Sequence, residues 1–371
     1  MTKRALCPRN AQPENASGKP RLLWPEALRI VAAFLVIVNH TNSRVFQGSE
    51  PGQLTWHLSI LWYYLSKLAV PLFVMISGAL LLPRRDGPKK TFLRVGRVLL
   101  ALLCASYVYF LYDAWVNWGL WPRALRLDIL LLQILRMGVT DGFWYLYFYL
   151  AVLITLPLWQ RLRSRLGRKQ RLWLTFGCFA LGAGLPLAGH YVPFLAVPEG
   201  VMACIPLSYV GLLFAGDLVR ETEPCRRPLL PLLGLVGCLL AAWLLTWLEY
   251  HRVAPGTKYW FMDHRMIPAL PVIGEAVCLM LLARCLGHRA AGEPEKQTPA
   301  RRLILSLGGC AFGIYLLQDL LIAESEHRLF VPLCRVLPPM AAVLVWEAAV
   351  FLVALLVVWL LRRIPPLRRI L

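Results

Sequence analysis

Runs of apolar residues recur along the chain and are separated by short polar segments. A transmembrane helix needs about 20 mainly apolar residues, and each run is close to that length. The pattern predicts about ten transmembrane helices, at residues 24–41, 58–82, 95–117, 142–160, 172–190, 203–219, 229–248, 266–283, 303–323 and 338–361. We therefore expect an all-α fold, a polytopic integral membrane helix bundle.

The polar segments between these runs alternate in charge. Every second segment is basic, and those between carry little positive charge or a mixture. Loops rich in Lys and Arg remain in the cytoplasm. The alternation therefore predicts an even number of helices with both termini cytoplasmic. The basic segments are the N-terminal tail, "PRRDGPKKTFLRVGR", "RLRSRLGRKQR", "RETEPCRR", residues 284–302 and "RRIPPLRRIL".

The composition supports a membrane protein, since 58% of the 371 residues are hydrophobic and 16% are charged. The net charge of +20 comes mostly from short loops, so it indicates topology, and we do not expect nucleic-acid binding. The ten Cys form no CxxC pair, and no metal site is expected. We expect a disordered cytoplasmic tail at 1–23, one transmembrane domain at 24–363 and a basic cytoplasmic tail at 364–371.

The first predicted helix carries Arg29 and His40 within an apolar run. A charged residue in a bilayer is costly unless it faces protein or water, so such residues are functional candidates. Eleven residues of helix span about 16 Å and three turns, which puts both side chains on one face. Ala33 and Val36 lie between them and are small enough for a narrow passage. The ordinary alternative is that Arg29 extends to the cytoplasmic interface and His40 is an interfacial residue.

Four segments in order carry a resemblance to a known family. They are "ALRIVAAFLVIVNHTN", "AVPLFVMISGALLL", "FWYLYFYLAVLITLPLW" and "CAFGIYLLQDLLI". Together with the helix count they resemble the membrane-bound acyltransferase 3 family, of the O-acetyltransferase type, over nearly the whole chain. Two places depart from the family pattern. Asp141-Gly142-Phe143 and Gln318-Asp319 stand where relatives often carry His.

The resemblance implies a bacterial inner-membrane enzyme that moves an acetyl or larger acyl group from cytosolic acetyl-CoA to a hydroxyl of an extracytoplasmic glycan, glycolipid or cell-wall component. Arg29 would hold the coenzyme A phosphates, because its guanidinium is permanently charged and suited to phosphate oxygens. Ser77 and Gly78 would allow close approach of a phosphate, or alternatively of another helix. His40 would deprotonate the acceptor hydroxyl or carry the acyl group.

Further candidates lie at the predicted outer level. Asp141 is favoured as the acid that orients His40, because it shortly precedes the matched Trp144 and Tyr145. The other acids at this level are Asp113, Glu249, Asp263, Asp319 and Glu324.

Acceptor binding is assigned to Asn39 and to aromatic residues that would stack on sugar rings, namely Trp144, Tyr145 and Tyr315. Trp and Tyr also line membrane interfaces as a rule, which is the ordinary alternative. Lys67 and Glu275 are intramembrane charges that either belong to the passage or pair to fix the bundle.

A second class of function remains open from the sequence, a transporter or flippase of lipid-linked sugars. Such a protein also needs many membrane spans and buried charges. It has no use for coenzyme A and no particular need for His40 opposite Arg29, so acyl-CoA binding discriminates between the two functions.

Overall fold

The computed structural model describes residues 22–84, 86–118, 126–195, 206–225, 227–252, 270–291 and 298–371. These ranges contain helices and no β-strand, which confirms the all-α prediction. Most of the predicted N-terminal tail, residues 1–21, lies outside the described residues, and so does Asp263.

Seventeen α-helices are present in the described part of the chain. The helices are α1 Leu23–Thr41, α2 Ser43–Gly48, α3 Leu54–Ser66, α4 Ala69–Leu81, α5 Pro88–Asp113, α6 Leu127–Leu135, α7 Trp144–Arg165, α8 Arg168–Phe179, α9 Leu185–Tyr191, α10 Pro206–Glu221, α11 Leu229–Arg252, α12 Leu270–Ala291, α13 Pro299–Gly308, α14 Ala311–Ser325, α15 Val331–Leu333, α16 Pro339–Leu361 and α17 Pro365–Ile370. Short π-helical segments continue α5, α8 and α14, at Ala114–Trp118, Ala180–Gly184 and Glu326–Phe330.

Eight helical segments of the described chain are long and apolar enough to cross a membrane. A ninth is the pair Pro299–Gly308 and Ala311–Leu333, which is bent by 58°. The predicted span 203–219 corresponds to α10, which has 16 residues and follows residues outside the described part. The chain is therefore a multi-pass membrane protein. The number ten and the cytoplasmic position of both termini stay predictions.

Helix α1 occupies the centre of the bundle. It packs against α3, α4, α12, α13, α14 and α16. Its middle turns are buried, and Ala32, Ala33, Ile37 and Val38 have no exposed surface. Arg29 and His40 consequently lie near opposite ends of a helix that is surrounded by protein over most of its length.

The second predicted span, 58–82, corresponds to the single apolar segment Leu54–Leu81. Its regular helix is broken only at residues 67–68, since α3 ends at Ser66 and α4 begins at Ala69. The amide of Lys67 donates to the carbonyls of Tyr63 and Tyr64, so the break is a tight turn. Pro71 falls in the first turn of α4, where its missing N–H costs little. The break places Lys67 beside α1.

Helices α4 and α10 cross with their backbones in close approach. A Cβ atom at Gly78 would overlap the backbone of Leu213, and one at Gly216 would overlap the backbone of Met75. Small residues at both positions let the two helices meet. Gly78, predicted as a phosphate-binding residue, therefore has a packing role in the structure.

We expect Gly78→Ala to lower stability by about 2 kcal/mol, because the added methyl meets backbone atoms that cannot rotate away. Thermal unfolding in detergent should show a lower midpoint. Gly96→Ala is the matched control, since no atom lies within 4 Å of a Cβ built at Gly96 on α5. Equal midpoints for the two variants would contradict the packing role.

Candidate functional site

His40 faces an acid on a late helix. Its Nδ1 atom lies 3.7 Å from Oδ1 of Asp319 on α14, at ion-pair distance. The side chains keep 27% and 16% of their surface exposed, so the pair lies at the edge of the core and is accessible. Because Nδ1 is the nitrogen next to Asp319, Nε2 is the nitrogen left for other partners. At 3.7 Å the contact is longer than a hydrogen bond, so Asp319 acts on the imidazole through its charge.

Asp319 is held from two sides. Its Oδ1 accepts from Nε2 of Gln318 at 2.8 Å, and its Oδ2 accepts from the hydroxyl of Thr140 at 3.0 Å. A Cβ at Gly142 would occupy the position of this carboxylate. The glycine of Asp141-Gly142-Phe143 therefore makes room for the acid that faces His40.

Asp141 itself lies nearby on an exposed turn. It is close enough to His40 for an electrostatic interaction, which is weaker than that of Asp319. The structure thus places both acids beside the imidazole, with Asp319 at ion-pair distance.

A lysine completes this end of the site. Nζ of Lys67 donates to Oδ1 of Asn39 at 2.5 Å and lies 4.0 Å from the ring centroid of Tyr63. Lys67 also interacts electrostatically with His40. We call the cluster of Asn39, His40, Lys67 and Asp319 the His40 end.

Aromatic side chains stand between this cluster and Arg29. Tyr315 packs edge-on against Tyr145, at 5.8 Å between ring centroids, and its hydroxyl donates to the carbonyl of Gly142. Tyr145 also packs on Phe73, at 5.9 Å, and is close enough to Arg29 for an electrostatic interaction. Both tyrosines are buried. Trp144 packs edge-on against Tyr145, at 6.1 Å between ring centroids, but is itself exposed.

The face of α1 between Arg29 and His40 is packed. Ala33 is fully buried in the cluster that α1 forms with α14 and α16, and Val36 is buried in the main core. The passage expected along this face is therefore filled by side chains in this structure.

Arginines gather at the other end of α1. Arg84, after α4, interacts electrostatically with Arg94 of α5, with Arg220 of α10 and with Arg29. Burial first, and then the charge of Arg94, lowers the pKa of the Arg84 guanidinium. Arg284 of α12 interacts with Arg220 in turn. We call these five residues the Arg29 end.

Carboxylates offset part of this charge. Arg29 pairs with Oε1 of Glu26 at 2.7 Å, and Arg94 pairs with Asp86 at 2.6 Å. Arg220 donates to the carbonyl of Ala79 at 2.8 Å. Five cations thus meet two paired acids in the described part of the chain, and an anion is favoured there.

Ser77 lies on α4, two residues before Ala79, whose carbonyl accepts from Arg220. Its hydroxyl donates to the carbonyl of Phe73 at 2.8 Å, which uses its single donor within its own helix. Phosphate oxygens accept hydrogen bonds, so the predicted phosphate contact would require the hydroxyl to give up the bond to Phe73. The Arg29 end is therefore better described by guanidinium groups from four helices and one loop than by Ser77 and Gly78.

A different ion cluster shows what a purely structural arrangement looks like. Asp217 of α10 is fully buried and accepts from Arg163 at 2.8 Å and from Arg171. Glu221 pairs with the same two arginines, at 2.6 and 2.7 Å. Both acids pair directly with both bases, so this cluster ties α7, α8 and α10 together, and Arg168 also acts on Glu221 through its charge.

A family model described as an acyltransferase domain, acyltransferase 3, matches residues 22–363. The match spans nearly the whole chain. The chain belongs to the acyltransferase 3 family. Comparisons with curated proteins and with solved structures gave no match.

The acyltransferase fold brings the predicted residues into two groups. Asn39, His40 and Asp141 lie together, with Tyr315 bonded to the neighbouring Gly142, and Arg29 lies at the opposite end. The sequence did not single out Asp319 among six candidate acids, and it left the role of Lys67 open between the passage and pairing with Glu275. It also missed Arg84, Arg94, Arg220 and Arg284, whose only signal was their position at the edges of basic loops.

Proposed function

We propose that this acyltransferase takes an acetyl group from acetyl-CoA on the cytoplasmic side of a bacterial inner membrane and transfers it to a hydroxyl of an extracytoplasmic glycan, glycolipid or cell-wall component. The proposal rests on the first helix, α1, which is largely buried. It bears Arg29 in a cationic cluster and His40 beside an acid, about 16 Å apart along the helix axis. Such a transfer would allow the enzyme to O-acetylate a polysaccharide of the cell envelope.

The Arg29 end supports the donor assignment by its chemistry. Coenzyme A carries a diphosphate and a further phosphate, and several guanidinium groups with incomplete pairing suit such a ligand. Arg29, Arg84 and Arg220 would hold the phosphates. The thin pantetheine arm would then extend along the bundle axis, with Tyr145 and Tyr315 moving aside to admit it.

At the His40 end, the acceptor hydroxyl would approach Nε2 of His40. The imidazole takes the hydroxyl proton as the acceptor oxygen attacks the thioester carbon, and Asp319 stabilises the resulting imidazolium. Asn39 and the exposed Trp144 would contact the acceptor. The same imidazole is also suited to carry the acyl group, and the acceptor hydroxyl would then attack an acyl-histidine.

We expect Asp319→Asn to lower kcat about 30-fold with little change in acetyl-CoA affinity, because the amide keeps the shape but does not stabilise the imidazolium. Steady-state release of coenzyme A and equilibrium binding of acetyl-CoA measure the two quantities. Asp128→Asn, at an exposed acid of α6, is the control. A weaker affinity at unchanged kcat would place Asp319 outside the chemistry.

The proposed function is tested with the purified full chain in detergent. Acetyl-CoA should bind and be hydrolysed slowly, with water as the acceptor, and the free thiol of coenzyme A should appear. If neither acetyl-CoA nor succinyl-CoA binds or releases coenzyme A, the proposal is wrong, and transport of lipid-linked sugars becomes the function to test.

A further inference from the structure

Lys67 has an unusual position for a lysine. It occupies the break between α3 and α4, inside the apolar segment Leu54–Leu81. A lysine near the end of a span extends its amine to the interface. Lys67 instead points to α1, where its Nζ reaches Asn39, the residue before His40.

The hydrogen-bond partner of Lys67 is neutral. Its acceptor is the amide oxygen of Asn39, and within the described ranges no carboxylate forms an ion pair with Lys67. The oxygens of Glu275, the other intramembrane charge considered, accept no hydrogen bond from a described residue. Pairing between Lys67 and Glu275 is therefore not what fixes the bundle here.

An ammonium inside a span is costly without a counter-charge, which an oxyanion formed beside it would supply. Asn39 holds the amine through a neutral acceptor, whereas an aspartate would pair with it as an ion. An ammonium has three donors, so donors remain for a substrate oxygen. The amine of Lys67 is thus held close enough to His40 for an electrostatic interaction.

We propose that Lys67 is a catalytic residue whose ammonium stabilises the oxyanion formed on the thioester carbonyl during transfer. This inference rests on the proposed function. Fixed positive charge aimed at an oxygen that becomes negative in the transition state lowers the barrier, and the low dielectric of a membrane interior strengthens the effect.

The proposed transfer passes through a tetrahedral intermediate. The acceptor oxygen forms a bond to the thioester carbon, its proton passes to His40, and the electron pair of the C=O bond moves to the oxygen beside Lys67. Collapse restores the C=O bond and breaks the C–S bond. The thiolate of coenzyme A takes the proton from His40, which leaves an ester and a free thiol.

The test compares Lys67→Met with the natural chain. Methionine keeps an unbranched side chain and removes the charge. We expect kcat for acetyl-CoA hydrolysis to fall about 100-fold, with the dissociation constant of acetyl-CoA changed less than about threefold because the Arg29 end is untouched. Lys169→Met, an exposed lysine at the start of α8, is the matched control and should keep full activity.

A second variant guards against a folding defect. Asn39→Asp preserves size and converts the hydrogen bond into an ion pair that neutralises Lys67, so kcat should again fall at least tenfold with donor binding retained. Unchanged kcat in both variants, while the natural chain turns over acetyl-CoA, would overturn the role of Lys67 alone. Absence of binding and turnover in the natural chain would overturn the proposed function and this inference with it.

Discussion

Replacing His40 with alanine is expected to reduce the release of coenzyme A from acetyl-CoA by about 10³-fold, the range of a lost general base. The imidazole lies at ion-pair distance from Asp319 through Nδ1, and in the proposed step Nε2 takes the proton of the acceptor. Acetyl-CoA should still bind with nearly natural affinity, because the guanidinium cluster lies at the other end of α1. If His40→Ala binds acetyl-CoA but releases almost no coenzyme A, His40 acts in the chemical step and not in binding the donor.

His327→Ala provides the control for His40→Ala. His327 is an exposed histidine next to Glu326, which is paired with Arg44, and Arg44 donates to the carbonyl of His40. It therefore lies at the same end of the bundle without a place in the site. Natural turnover is expected for this variant. Comparable losses in both histidine variants would mean that His40 acts through general stability.

The second large effect is expected for Arg29→Gln, which should raise the dissociation constant of acetyl-CoA about 300-fold. The substitution removes one charged contact to phosphate. It also leaves the buried carboxylate of Glu26, which is paired with Arg29 in the natural chain, facing the bound anion. Turnover at saturating acetyl-CoA should change much less than affinity. Equilibrium binding of radiolabelled acetyl-CoA measures the change directly.

Glu26→Gln tests whether the affinity for acetyl-CoA follows the positive charge at Arg29. Removing the carboxylate frees the Arg29 guanidinium and increases the local positive charge, so acetyl-CoA should bind at least as tightly as in the natural chain. If the Glu26–Arg29 pair only held α1 in place, both variants would weaken binding alike. Arg165→Gln, at an exposed arginine late in α7, controls for loss of net charge.

The first helix could be predicted well because its signal is local. The apolar run predicts the ends of the first helix within a few residues of the observed α1. The helical repeat places Arg29 and His40 on one face. The contact made by Lys67 had no such signal. Its Nζ reaches Asn39, which lies 28 positions earlier in the chain, and only the packing of α3 and α4 on α1 brings the two together.

The acid partner of His40 shows the limit of spacing arguments. Asp141 was favoured from its place beside the matched Trp144, whereas ion-pair distance belongs to Asp319. The choice between them is made by the packing of α14 on α1 and by the space at Gly142, and both are tertiary features. The same holds for Arg84, which approaches Arg29 and Arg220 only in the folded bundle.

Acetyl-CoA binding and coenzyme A release should be measured together in the natural chain, in His40→Ala and in Arg29→Gln. We expect the natural chain to bind acetyl-CoA and release coenzyme A, His40→Ala to bind without release, and Arg29→Gln to lose affinity. Release by His40→Ala at the natural rate, or natural affinity in Arg29→Gln, would contradict the claim that one helix carries the donor site and the reacting imidazole.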